Sequence, residues 1–205
     1  MEWNFQGIEF LHRPDVYVGS FDNAKMQARH EELKRNRLDT LKKAVQETKD
    51  PLDAMLKLHK LDHIRFLLNN SRAFRDAGRF EAAVLELYTK TNSPFLCGGD
   101  FAVWDELFES CARERLSALG DPFPLESAIV YRISVTGIER GLSWTLSREL
   151  VKRFEDRWQE QGIGRAKIYT VETTGKNVLI YLKGRHDEEV ILEPQFVRTA
   201  PILEL

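Results

Sequence analysis

Three short groups in the C-terminal part of the chain carry side chains whose chemistry is complementary. They are Val130-Tyr131-Arg132, Gly141-Leu142-Ser143-Trp144-Thr145 and Asp187-Glu188-Glu189-Val190-Ile191-Leu192. An arginine has a planar fork of donors that suits phosphate oxygens. A Ser-x-Thr at a turn can help hold the sugar of a dinucleotide. A glutamate opening a late strand can stabilise a positive charge developing on that sugar. Together they suit the cleavage of a dinucleotide such as NAD+.

Each group also has a purely structural explanation. Arg132 lies mid-strand among apolar neighbours, where a cation is costly unless an anion or acceptors satisfy it; a salt bridge within the domain would do so. Thr145 is placed to N-cap the helix after it, whereas Ser143, two residues earlier, is not needed for that cap. Asp187 and Glu189 project to one side of a strand and Glu188 to the other, as they would at a solvated strand entry. Paired carboxylates on one face repel, which favours raising one pKa. The apolar Val190-Ile191-Leu192 directly after them puts these carboxylates at the rim of a core.

Several elements must position these groups. The pattern predicts helices over 24–48, 52–77, 80–90 and 100–119, with Pro51 breaking the first and Gly78 ending the second. Residues 91–100, with Pro94 and Gly98-Gly99, read as a loop. Short strands are expected at 8–11 and 16–18. The period then changes to two. Strands are expected at 128–135, 166–173, 177–183 and 187–193, with a helix over 146–161. In the first of these strands Ile129, Tyr131, Ile133 and Val135 face one way, and Val130, Arg132 and Ser134 the other. The expected organisation is α+β. A mainly helical region, 1–120, packs on a β-rich region, 121–205, as one structural unit.

The bulk properties narrow the classes. With 205 residues, 42% hydrophobic composition and a net charge of −2, the chain can form a core and is neither uniformly basic nor uniformly acidic. Between Lys25 and Lys49, eight Lys/Arg face four Asp/Glu. This excess suits either a solvated helix face or a contact surface for RNA or an acidic partner. Cys97 and Cys111 are too few for a disulfide framework or for a zinc site of their own. No signal peptide or membrane span is evident, so a cytoplasmic location is expected. His59 and His63 have a spacing able to hold zinc. They lack an evident third ligand and lie on an apolar helix side, so no metal is expected. No P-loop or dinucleotide-type glycine fingerprint occurs.

The order Tyr-Arg, then Gly-x-Ser-Trp-Thr entering a helix, then acidic-x-Glu-Val-Ile-Leu resembles the ADP-ribosyltransferases of the arginine–serine–glutamate class. Closest in pattern are small bacterial and phage-encoded members with a Ser-Trp-Thr second motif. Cys111 to Leu116 and Leu119 to Pro124 also resemble the segment before the arginine strand. The resemblance covers residues 100–194 and leaves 1–99 outside it. It implies a split β-sandwich of two packed sheets flanked by helices, with NAD+ between them as substrate. Arg132 would hold NAD+ mainly through its phosphates, with Trp144 beside it in the NAD+ site, and Ser143 and Thr145 would support the nicotinamide-ribose region and the catalytic glutamate. Glu189 would be the catalytic glutamate. Asp187 would orient or deprotonate the acceptor. Ile133 stands where relatives commonly have glycine. The implied activity is transfer of ADP-ribose to a macromolecular acceptor, protein or RNA/DNA, in a toxin–antitoxin or phage-conflict setting with an antitoxin protein as a further partner. The same residues would serve an NAD glycohydrolase, and a non-catalytic binding module could retain the fold.

Overall fold

A computed structural model describes residues 2–10, 19–89, 100–162, 165–184 and 188–205. The expected loop at 91–99, the expected strand at 16–18, Cys97 and Asp187 lie outside the described residues. The protein is α+β, and it divides into two compact units, Met1–Asp100 and Phe101–Leu205. The division falls at 100 rather than 120 because α6 (Phe101–Glu109) packs on α9 (Pro194–Thr199) and α7 (Arg113–Ser117) packs on β4 (Val178–Leu182).

The first unit is helical. α1 (Ala24–Glu47) starts where the Asn23 side chain accepts from the Lys25 and Met26 N–H groups, and its one fully buried residue is Val45. Trp3 ties this end down by donating its indole N–H to the Val45 carbonyl at 3.0 Å. The expected helix over 52–77 is instead four pieces: α2 (Pro51–Leu56), a 3₁₀ turn (Lys60–Asp62), α3 (His63–Asn69) and α4 (Ser71–Asp76). Side chains break it. His59 is extended and its ring accepts from the Leu61 N–H. Asn70 accepts from the Asn4 N–H at 2.8 Å and donates to the Phe66 carbonyl at 2.9 Å. His63 is buried against the Leu58 carbonyl, so the two histidines do not form a helix-face pair.

Aromatic packing centres on Phe66, which meets Trp3 at 5.5 Å and Phe74 at 6.2 Å between ring centroids. Asp50 caps α2 and accepts from Arg79 at 2.8 Å. Burial raises its pKa, but the backbone donor at Asp53 and the Arg79 guanidinium outweigh this and hold it below the usual carboxylate value. α5 (Phe80–Thr89) completes the described part of this unit.

The second unit holds one six-stranded antiparallel sheet, in the order β4-β5-β2-β1-β3-β6. Its strands are β1 (Ser127–Ser134), β2 (Ser143–Thr145), β3 (Lys167–Thr174), β4, β5 (Glu189–Leu192) and β6 (Leu203–Glu204). Among the described residues there is this single sheet rather than two packed sheets. It is nevertheless close to parting at one place. β1 pairs with β3 along eight residues, but meets the three-residue β2 only at Tyr131↔Thr145. Helix α8 (Arg148–Glu160) lies over β1 and β2.

The face of β1 that carries Arg132 is the more buried one. Val130 and Ser134 are inside, while Ile129 and Val135 are exposed. This reverses a simple apolar-in reading of the strand. Thr145 is not the N-cap of α8. It ends β2, its hydroxyl accepts from the Ser147 N–H at 3.1 Å, and Ser147 caps the helix through the Leu150 N–H. The expected helix over 100–119 is likewise divided, because Ala112 is extended between α6 and α7.

Gly120 closes this second unit against β4. Its neighbour Asp121 donates its N–H to the Tyr181 carbonyl at 2.8 Å and accepts from the Lys183 N–H at 3.0 Å. A Cβ at Gly120 would lie about 2.5 Å from both the Ile180 side chain and the Tyr181 carbonyl oxygen. The carbonyl belongs to a sheet strand and cannot turn away. Gly120→Ala is therefore expected to destabilise this unit by about 1–3 kcal/mol, the usual range for overpacking. Urea unfolding measures this, and an unchanged midpoint would show that the Ile180 side chain and the Tyr181 carbonyl leave room for a methyl group.

Candidate active site at the seam between β1 and β2

Ser143, Thr145 and Glu189 are brought together by the sheet. The register pairs Thr145 with Glu189 and Ser143 with Ile191, so all four side chains lie on one face. The Ser143 hydroxyl donates to Glu189 Oε1 at 2.7 Å, a bond spanning 46 positions of sequence. Glu189 is only 7% exposed and Thr145 only 6%. A buried carboxylate needs donors, and Ser143 is one of them.

Arg132 reaches the main chain of Ser143 from β1, where Tyr131 and not Arg132 is the residue paired with Thr145. Its Nη1 donates to the Ser143 carbonyl at 2.9 Å and its Nε donates to the Ile138 carbonyl at 3.4 Å. Ser143 thus serves both partners, its carbonyl holding the guanidinium and its hydroxyl holding the carboxylate. A cavity of about 130 Å³ opens beside Arg132 and Ser143, lined by Tyr131, Arg132, Ser143, Trp144, Thr145 and Leu150 among others. That volume is on the order of the space that accepts one aromatic ring. A whole dinucleotide would have to extend beyond it along the seam.

Trp144 is placed differently from its neighbours. It is 2% exposed, and its indole N–H donates to the Gly141 carbonyl at 2.6 Å. Alternation along β2 sends it to the face opposite Ser143 and Thr145.

Glu188, just before the catalytic candidate, has a φ of 44°. A non-glycine residue in this left-handed region is uncommon and costs on the order of 1–3 kcal/mol. The strain falls where the chain enters β5. Burial, followed by the charges of Glu188 and Asp121, pushes the Tyr181 phenol above its ordinary value and keeps it neutral.

Other groups support the loop between β1 and β2. Ser134 accepts from the Ile138 N–H at 3.1 Å, and the Tyr169 hydroxyl donates to the Gly137 carbonyl at 2.9 Å. Arg140 donates to the Val197 carbonyl. Sequence reasoning missed these supports. Gly141, part of the motif itself, was the one available signal.

The basic segment is α1. Its Lys and Arg side chains are exposed. At 100° per residue they ring the helix instead of lining one side. No helix among the described residues is long and apolar enough to cross a membrane. No cluster of three or more His, Cys, Asp or Glu able to hold a metal occurs among the described residues.

Set against protein-family models, characterised proteins and solved structures, the chain matches none. The class is therefore defined by the chain's own features. It is an α+β protein whose antiparallel sheet carries a part-buried Ser–Glu pair and an anchored arginine at one seam.

Proposed function

We propose that this protein cleaves NAD+ and transfers the ADP-ribose to a macromolecular acceptor. The observation that carries this reading is the double use of Ser143, which ties Arg132 and Glu189 to one residue. Neither pairing alone would suffice, since an arginine on carbonyls and a serine on a carboxylate both occur as structural devices. Joined through Ser143 beside a cavity of ring size, an anion-binding group and a carboxylate lie at one seam of the sheet, which supports a reading in which one ligand meets both.

In the proposed reaction Arg132 holds the diphosphate of NAD+. The bond between the nicotinamide nitrogen and the ribose C1′ breaks, and its electron pair leaves with nicotinamide. The sugar is left as an oxocarbenium ion. The Glu189 carboxylate accepts from the ribose 2′-hydroxyl and stabilises the positive charge, as a carboxylate does in glycoside hydrolysis. Ser143 fixes the rotamer of Glu189. An acceptor nucleophile then bonds to C1′ and loses its proton. Asp187 is the proposed group for orienting the acceptor or taking that proton. A toxin or phage-conflict role inside a bacterial cell is the proposed setting.

The test is incubation of the whole chain with NAD+ labelled in its adenylate half and a bacterial lysate. Nicotinamide release and label in macromolecules are both expected. Loss of label to protease, RNase or DNase then identifies the acceptor class. Release without incorporation would make the protein an NAD glycohydrolase, and no release would leave a binding module.

A further inference from the structure

We propose that Trp144 and Gly141 form a clamp that positions Arg132, so that the tryptophan of the Ser-Trp-Thr motif acts through the arginine and not on the substrate. This rests on the assignment of Arg132 as the NAD+-binding group. Three observations converge on it. A Cβ at Gly141 would fall within the Arg132 guanidinium group, so the fork lies directly against a backbone that has no side chain there. The Gly141 carbonyl is held by the buried Trp144 indole at 2.6 Å, which fixes the orientation of that peptide. The guanidinium then bonds carbonyls on either side of Gly141, those of Ile138 and Ser143.

The physical logic is that of preorganisation. An arginine side chain has many rotamers, and ordering it on binding would cost affinity. The flat glycine surface and the two carbonyl acceptors hold the fork before any ligand arrives. Trp144 keeps that surface in place from the opposite face of β2, where it can be fully buried. Trp144 forms part of the cavity wall beside Ser143, but at 2% exposure it has little side-chain surface to offer a ligand.

Gly141→Ala pushes only the far end of a flexible side chain, so the fold is expected to survive while Arg132 is displaced. Trp144→Phe keeps an aromatic ring and removes the N–H. Two readouts are needed. The first is the 15N–1H signal of the Arg132 Nε–H, assigned with Arg132→Lys. In wild type it should be a single resonance with slow solvent exchange, and in both variants it should move and exchange faster. The second is steady-state NAD+ cleavage. Gly141→Ala should raise KM about tenfold, the loss of one charge-assisted hydrogen bond, with kcat within about twofold of wild type. An Arg132 signal unchanged in Gly141→Ala would overturn the clamp, as would a fall in kcat at constant KM. If wild type releases no nicotinamide, the proposed function fails, while the Arg132 signal still decides whether the clamp exists.

Discussion

Glu189→Gln is expected to lower nicotinamide release by about 10²–10³, the range found when a preorganised electrostatic partner of a transition state is removed. Glutamine has the shape of glutamate and can still accept the Ser143 hydroxyl through its amide oxygen, so the 2.7 Å contact persists. What disappears is the negative charge. A carboxylate about 4 Å from a developing cation contributes roughly 4 kcal/mol at an effective dielectric of 20. That corresponds to roughly 10³ in rate.

Stability should move little or rise, because the substitution relieves the burial of a charge in a site only 7% exposed. Activity and thermal midpoint are thus expected to part company. Measuring both on the same preparation checks this. Near-normal turnover in Glu189→Gln would remove the glutamate from the mechanism. Parallel loss of activity and midpoint would mean that the carboxylate is structural.

Much of the second unit can be read from local pattern, and the reasons are local too. β1, β3, β4 and β5 keep a period of two beside turn residues, and their observed bounds differ from expectation by one or two residues. The start of α1 follows from Asn23, and the end of α4 from Gly78, whose φ of 64° favours glycine. The failures are non-local. The helix over 52–77 is cut at Asn70 by a bond to Asn4, 66 positions away. At the motif, Ser143 and Thr145 belong to a strand instead of a turn because β5 pairs with them. Thr145 gave way to Ser147 as N-cap for the same reason.

Residue types at the site were legible because few chemistries use them. The pairing of Ser143 with Glu189 was legible only through the family resemblance, since no window of sequence spans it. The seam that admits Arg132 was hidden. It depends on β2 being too short to pair along β1.

Arg132→Ala is expected to weaken NAD+ binding by about 10- to 100-fold, the equivalent of about 1.5–3 kcal/mol for hydrogen bonds to a charged group. The arginine is anchored on the Ile138 and Ser143 carbonyls. Truncation frees the loop between β1 and β2 as well as removing the cation, so alanine alone does not separate charge from geometry. Arg132→Lys does. Lysine keeps a positive charge but has no planar fork, and it cannot bond two carbonyls and a phosphate with the same geometry. If the fork matters, lysine should recover less than about one tenth of wild-type affinity, a deficit of at least 1.4 kcal/mol. If only charge matters, lysine should approach wild type, and its affinity should fall steeply with salt as exposed charge interactions are screened. Calorimetry with NAD+ at two ionic strengths distinguishes the two. Unchanged affinity in Arg132→Ala would mean that the dinucleotide does not lie at this seam. A normal rate of cleavage in that same variant would go further, because Ser143 would then be holding Glu189 for a substrate that Arg132 never touches.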